Sequence, residues 1–145
     1  MIKYFLFTLF FTINYILAID SLNLIGNPSS LTIDSAIPGE DFQPAEDNST
    51  IYEVTVDGPS QKKITGKLTD KAVPNNTTLE VNLAAPTNAS SQGFVSLNTT
   101  SKDLVTSIAA GTYDNLSITY KFSATVAAGI ITSQIRTLEC TLTDN

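Results

Sequence analysis

Leu116-Ser117-Ile118-Thr119-Tyr120-Lys121-Phe122-Ser123-Ala124-Thr125-Val126 is the stretch that decides the fold. Leu116, Ile118, Tyr120, Phe122, Ala124 and Val126 alternate with Ser117, Thr119, Lys121, Ser123 and Thr125. One face is therefore apolar along the whole run, and the other carries hydroxyls and a single charge. A period of two marks a β-strand, because successive side chains point to opposite faces. The pattern predicts a central strand packed on one side and wet on the other. Ala127-Ala128-Gly129 follows and reads as the link of a hairpin. The return strand is expected to close with Leu138, Cys140 and Leu142 inward and Thr137, Glu139, Thr141 and Thr143 outward. Ile131 and Ile135 fall on the opposite parity, which predicts a bulge near Arg136.

Upstream the same period recurs in shorter runs. Leu31, Ile33, Ser35 and Ile37 alternate, as do Tyr52, Val54 and Val56. Ile64 and Leu68 flank Gly66, Leu79, Val81 and Leu83 alternate, Val95 pairs with Leu97, and Leu104, Thr106 and Ile108 complete the set. Between them stand Pro38-Gly39, Asp57-Gly58-Pro59, Pro74-Asn75-Asn76, Pro86 to Gly93 and Ala110-Gly111, all turn chemistry. No stretch has a helical period. The expectation is an all-β chain, an immunoglobulin-like two-sheet sandwich of about 7–9 short antiparallel strands.

Residues 1–18 differ from everything after them. Lys3 supplies a positive start, and Tyr4 to Leu17 is largely apolar, interrupted by Thr8, Thr12 and Asn14. Ala18 is the small residue expected before a cleavage point. The segment reads as a secretory signal peptide, with an uncleaved membrane anchor as the alternative. Residues 19–145 are then a single β-sandwich domain, placed outside the cytoplasm: secreted, on the cell surface or in the periplasm. Leu22 and Leu24, beside Ser21 and Asn23, open this part with another alternation. They belong either to the first strand of the chain's own sandwich or to a strand donated to the sheet edge of a neighbouring subunit.

Composition excludes several chemistries. The chain of 145 residues has no His and one Cys, so it builds no His-based triad, no His/Cys zinc site and no internal disulfide. A net charge of −6 disfavours nucleic acid and anionic lipid as partners. Losing residues 1–18 removes only Lys3 among the charges and leaves the remainder more acidic still.

Few residues present themselves as a site. Glu40, Asp41, Phe42, Glu46 and Asp47 form the only concentration of charge, in an acidic loop from Pro38 to Asn48. Its carboxylates resemble a weak extracellular cation site, or a solvated loop, and their spacing matches no EF-hand. Tyr113 lies in a turn and joins Phe42 as an aromatic available to a ligand. Cys140 lies on the apolar parity of its strand and reads as a buried small hydrophobe, with an intermolecular disulfide as the alternative. Asn48, Asn75, Asn76, Asn88, Asn98 and Asn115 each begin an Asn-x-Ser/Thr triplet, against roughly two or three expected by chance. These triplets matter only where a host glycosylates outside the cytoplasm.

The run Leu116 to Thr125, with Gly129, Arg136-Thr137-Leu138 and Thr141-Leu142-Thr143-Asp144, resembles the closing hairpin of small secreted bacterial sandwich proteins of the pilus-subunit and surface-protein type. It is also similar to the last two strands of fibronectin-type modules. The resemblance implies an immunoglobulin-like fold and an extracytoplasmic location. Chaperone-assembled pilins lack a final strand, whereas this chain carries a full closing segment; many of them also hold a disulfide near the first strand, and here only Cys140 is present.

Two functions follow as expectations. The first is a non-enzymatic adhesive, structural or pilus-like assembly subunit whose partner is a protein or a second copy, with Leu22 and Leu24 at the assembling edge. The second is a monomeric secreted module binding a sugar, a cation or a host protein, with Phe42, Tyr113 and the acidic loop gathered at one end of the sandwich. Neither calls for a cofactor, a nucleic acid or, once the signal is removed, a membrane. A hydrolase would have to work with carboxylates or lysines that show no pairing.

Overall fold

The computed structural model describes residues 19–34 and 42–145. The segment read as a signal peptide lies outside these residues, as do Glu40 and Asp41. The described chain forms nine strands: β1 (Ser21–Ile25), β2 (Ala45–Val56), β3 (Lys62–Leu68), β4 (Thr77–Leu83), β5 (Ser90–Ser91), β6 (Val95–Ser96), β7 (Lys102–Ile108), β8 (Gly111–Ala124) and β9 (Leu138–Asp144). All pairings are antiparallel. They make two sheets, one in the order β1-β2-β8-β4-β6 and one in the order β5-β7-β3-β9. The protein is an all-β two-sheet sandwich.

The deciding stretch is the middle strand of the larger sheet, paired to β2 on one side and β4 on the other. Ile118 and Tyr120 are buried and Leu116 and Phe122 half-buried on its inner face, while Ser117 and Asn115 are exposed. Leu116, Ile118 and Tyr120 meet Tyr52, Val54 and Val56 of β2 and Val81 and Leu83 of β4. The opposing sheet contributes Ile64 and Leu68 of β3 and Leu104, Val105 and Ile108 of β7. Fully burying each such aliphatic side chain stabilises the fold by about 1.5–3 kcal/mol. Tyr52 has no exposure at all, and its phenol donates to the Ala84 carbonyl, so burying it leaves no unpaired hydroxyl.

Several expectations are corrected here. β8 and β9 do not form a hairpin: they lie in different sheets, joined by a crossover that begins with a 3₁₀ turn at Val126–Ala128. β8 already has a partner along both edges, so β9 can add only elsewhere, and it closes the open side of β3. In the immunoglobulin arrangement the last strand pairs with its predecessor; here its partner is β3. Val126 lies beyond the strand end and is exposed, and no bulge forms near Arg136, because no strand is present there. Arg136 instead pins the crossover, its guanidinium Nε and Nη2 donating to the Ala72 carbonyl at 3.2 and 3.1 Å.

The run at Leu31 and Ile33 forms no strand within the described residues, although Leu31 packs against the core. β7 is not simply alternating either. Register shifts against β3 and a positive φ of 61° at Ser107 turn Val105 and Ile108 inward and leave Thr106 half-exposed.

Gly66 makes room on β3 for side chains of the two strands that flank it in the same sheet. It is buried at the middle of β3, and a Cβ built there meets Leu104 Cδ1 at 2.6 Å and Leu138 Cδ1 at 3.3 Å. Leu104 is itself almost wholly buried and has little room to yield. Gly66→Ala is expected to lower the unfolding free energy by about 1–3 kcal/mol. Gly58→Ala, where nothing lies within 4 Å, controls for composition, although its φ of 102° adds a backbone cost of its own. Equilibrium denaturation in urea checks this, and an unchanged midpoint for Gly66→Ala refutes it.

Candidate functional site

The sandwich has four sheet edges, and they are unequal. β5 and β6 close one flank with two residues each. β1 and β9 form the other flank with five and seven residues, and neither shows a register shift against its inner neighbour. These two edge strands belong to different sheets and lie against each other. Lys62, at the start of β3, ties them together: its ammonium reaches Asp20 just before β1 at 2.8 Å and Asp144 at the end of β9 at 2.7 Å. Asp144 and then Asp20 push the Lys62 ammonium up to about 12. The Asp20 carboxylate is held below its ordinary value by Lys62 first and by the Asp57 amide second. No periodicity marks this clip, because its members are dispersed along the chain.

Leu22 and Leu24 fall on this flank. β1 pairs with β2 of its own chain, Leu22 opposite Val54 and Leu24 opposite Tyr52, which is the plainer of the two expectations for this segment. Leu22 packs on the core, and Leu24 is 39% exposed. On β9, Leu138, Cys140 and Leu142 face inward as expected, yet all three are only half-buried, because no further strand flanks them.

The residues considered for ligand binding are not brought together. Glu46 and Asp47 are in strand β2 rather than in a loop. Glu46 stands opposite Lys121, which reaches Glu80 at 3.7 Å and lies 5.0 Å from the centre of the Phe94 ring. Asp47 stabilises the bulge that follows it: its carboxylate accepts from the Ser49 hydroxyl at 2.7 Å and the Ser49 amide at 3.1 Å. Those bonds, and others from Ser29, hold its carboxyl below the usual range. Phe42 lines a shallow open cleft with Pro44, Asn76, Thr78 and Thr125 at the end where β8 finishes. Tyr113 sits near the opposite end of β8, opposite Val54.

Nine residues separate Tyr113 from Phe122, the partner of Ala45 at the cleft end. At strand rise this is roughly 30 Å, so Phe42 and Tyr113 occupy opposite ends of the sandwich. Tyr113 is also half-buried rather than free, with its phenol donating to the Ala109 carbonyl at 3.3 Å. It fastens the two-residue link by which the chain passes from β7 to β8. Among the described residues no group of His, Cys, Asp and Glu has the arrangement of a metal site. The crossover after β8 also presents Val126, Ile130 and Ile135 to solvent, a feature with no strand or helix period to announce it.

No family model, curated protein or solved structure matches the chain.

Cys140 gives this flank a measurable property. Burial first, and the nearby Glu139 second, push its thiol up to about 11 from 9.0. The folded chain therefore disfavours the thiolate. The stability held by the neutral thiol is present below pH 9 and is lost as pH rises toward 11. Lys62, pushed up from 10.5 to about 12, holds its full contribution below pH 10.5 and starts to lose it only at the top of that window. Denaturation midpoints of the unaltered protein should fall between pH 9 and 11, in part through Tyr52 and Tyr120, whose phenols burial also pushes up from 10.0, and Cys140→Ala should make that slope shallower. Equal slopes in the two proteins refute the assignment.

Proposed function

We propose that the protein is a non-enzymatic secreted or surface β-sandwich, an adhesive, structural or pilus-like subunit that acts by joining protein partners, copies of itself among them, through open sheet edges. The observation that carries this reading is the asymmetry of the edges. One flank ends in two-residue strands, which is how sheets are ordinarily blunted, and the other ends in two longer, regular strands. An open edge of that kind offers a row of backbone donors and acceptors to an added strand. The signal-like segment at residues 1–18 and the acidic charge agree with work outside the cytoplasm on protein rather than on nucleic acid.

Strand addition relies on backbone hydrogen bonds and apolar contact, not on cysteine chemistry. The mass of the 19–145 chain in solution should therefore grow with concentration, and reductant should leave that growth unchanged. Sedimentation over a wide concentration range tests this. A strict monomer at the highest concentrations overturns the reading, and a dimer dissolved by reductant reassigns the contact to Cys140.

A further inference from the structure

We infer that a second copy of this chain adds antiparallel to the outer edge of β9, fusing two four-stranded sheets into one. The inference rests on the assembly reading above and names the edge and the partner. β9 runs beside β3 in unbroken register, from Leu68 opposite Leu138 to Lys62 opposite Asp144. Just past its two ends, the Asn145 amide donates to the Gln61 carbonyl at 3.0 Å, and the Thr69 amide donates to the Thr137 carbonyl at 3.1 Å. In an antiparallel ladder, residues that exchange hydrogen bonds alternate with residues that do not. Glu139, Thr141 and Thr143 therefore direct their backbone groups to β3. Leu138, Cys140, Leu142 and Asp144 direct theirs away from it, to a side where no strand among the described residues pairs with them.

Three features favour another β9 as the occupant. The strand has no Pro and no bulge, and its two charges, Glu139 and Asp144, are each matched by a lysine of β3. A two-fold pairing centred on Thr141 sets Thr141 against its own equivalent and Glu139 against Thr143, so no like charges face each other, and Glu139 is already matched by Lys67 at 3.1 Å. On the inner face the same pairing sets Cys140 against Leu142 twice, covering apolar side chains that a single chain leaves half-buried. An isologous contact of this kind closes at two copies. The adjoining β1 leaves Leu24 and Ile25 39% and 36% exposed.

Hydrogen exchange of the 19–145 chain, which contains every described strand and the core they enclose, tests the proposal. In dilute solution the amides of Leu138, Cys140, Leu142 and Asp144 should exchange fast, since they have no partner in their own chain. As the mass doubles with concentration, their exchange should slow by about tenfold or more. The double variant Thr141→Lys, Thr143→Glu sets lysine against lysine at the two-fold and carboxylate against Glu139 on either side of it, on the solvent face. It should remain monomeric with its melting temperature little changed. Mass growth without protection of those four amides, or growth that survives the double variant, overturns this inference while leaving assembly through another edge in place. A chain that is monomeric at every concentration overturns both.

Discussion

β8 has both of its hydrogen-bonding edges occupied, one by β2 and the other by β4, and the remaining topology follows from that occupancy. A strand with two neighbours can accept no third, so the chain leaving it cannot return beside it, and here it enters the opposite sheet. The same event repeats along the molecule: after β1 and β2, every successive strand lies in the other sheet from the one before. Apart from β1 with β2, no strand among the described residues pairs with its sequence neighbour. The fold therefore has no local hairpin to nucleate it, and its order of assembly is governed by the closure of long loops.

That connectivity explains where the special residues lie. Each passage between sheets needs the chain to turn within about 10 Å, the spacing of packed sheets. Tyr113 braces the shortest passage, and Arg136 anchors the longer one after β8. Gly66 leaves space on β3 where Leu104 and Leu138 of its flanking strands converge. Lys62 draws Asp20 and Asp144 together at the flank where the first and last strands meet. The exposed members of that clip contribute little energy singly, and their effect is to hold the two edge strands side by side. The open flank is thus a consequence of topology, since the final strand of an alternating chain is left with one neighbour.

Strand content was legible in the sequence because side chains alternate with a period of two wherever one sheet face is buried. Tyr52, Val54 and Val56, then Val81 and Leu83, then Ile118 and Tyr120 all read inward and all are core. The inward parity of Leu138, Cys140 and Leu142 was legible on the same ground. The alternation of Leu31 and Ile33 misled, because a period of two reports a half-buried surface and does not guarantee a neighbouring strand. The parity of β7 was misread for a related reason: the bulge at Ser107 shifts inward positions without altering composition. Glu46 and Asp47 looked like loop residues because acidic side chains are scarce in strands, yet Asp47 is used to stabilise the bulge of β2.

The sequence by itself determined that this chain is built of strands, which residues of its regular strands line the core, and which chemistries its composition lacks. These depend on side-chain polarity and on local backbone geometry, both of which are written residue by residue. Only the tertiary structure decided which strands are neighbours, that β8 and β9 part company, that Phe42 and Tyr113 stand at opposite ends, and that β1 and β9 share an open flank. Backbone hydrogen bonds are the same for every residue except proline, so they carry no sequence mark of partner choice. That choice is made when two apolar faces close on each other and each edge either finds a strand or is left open.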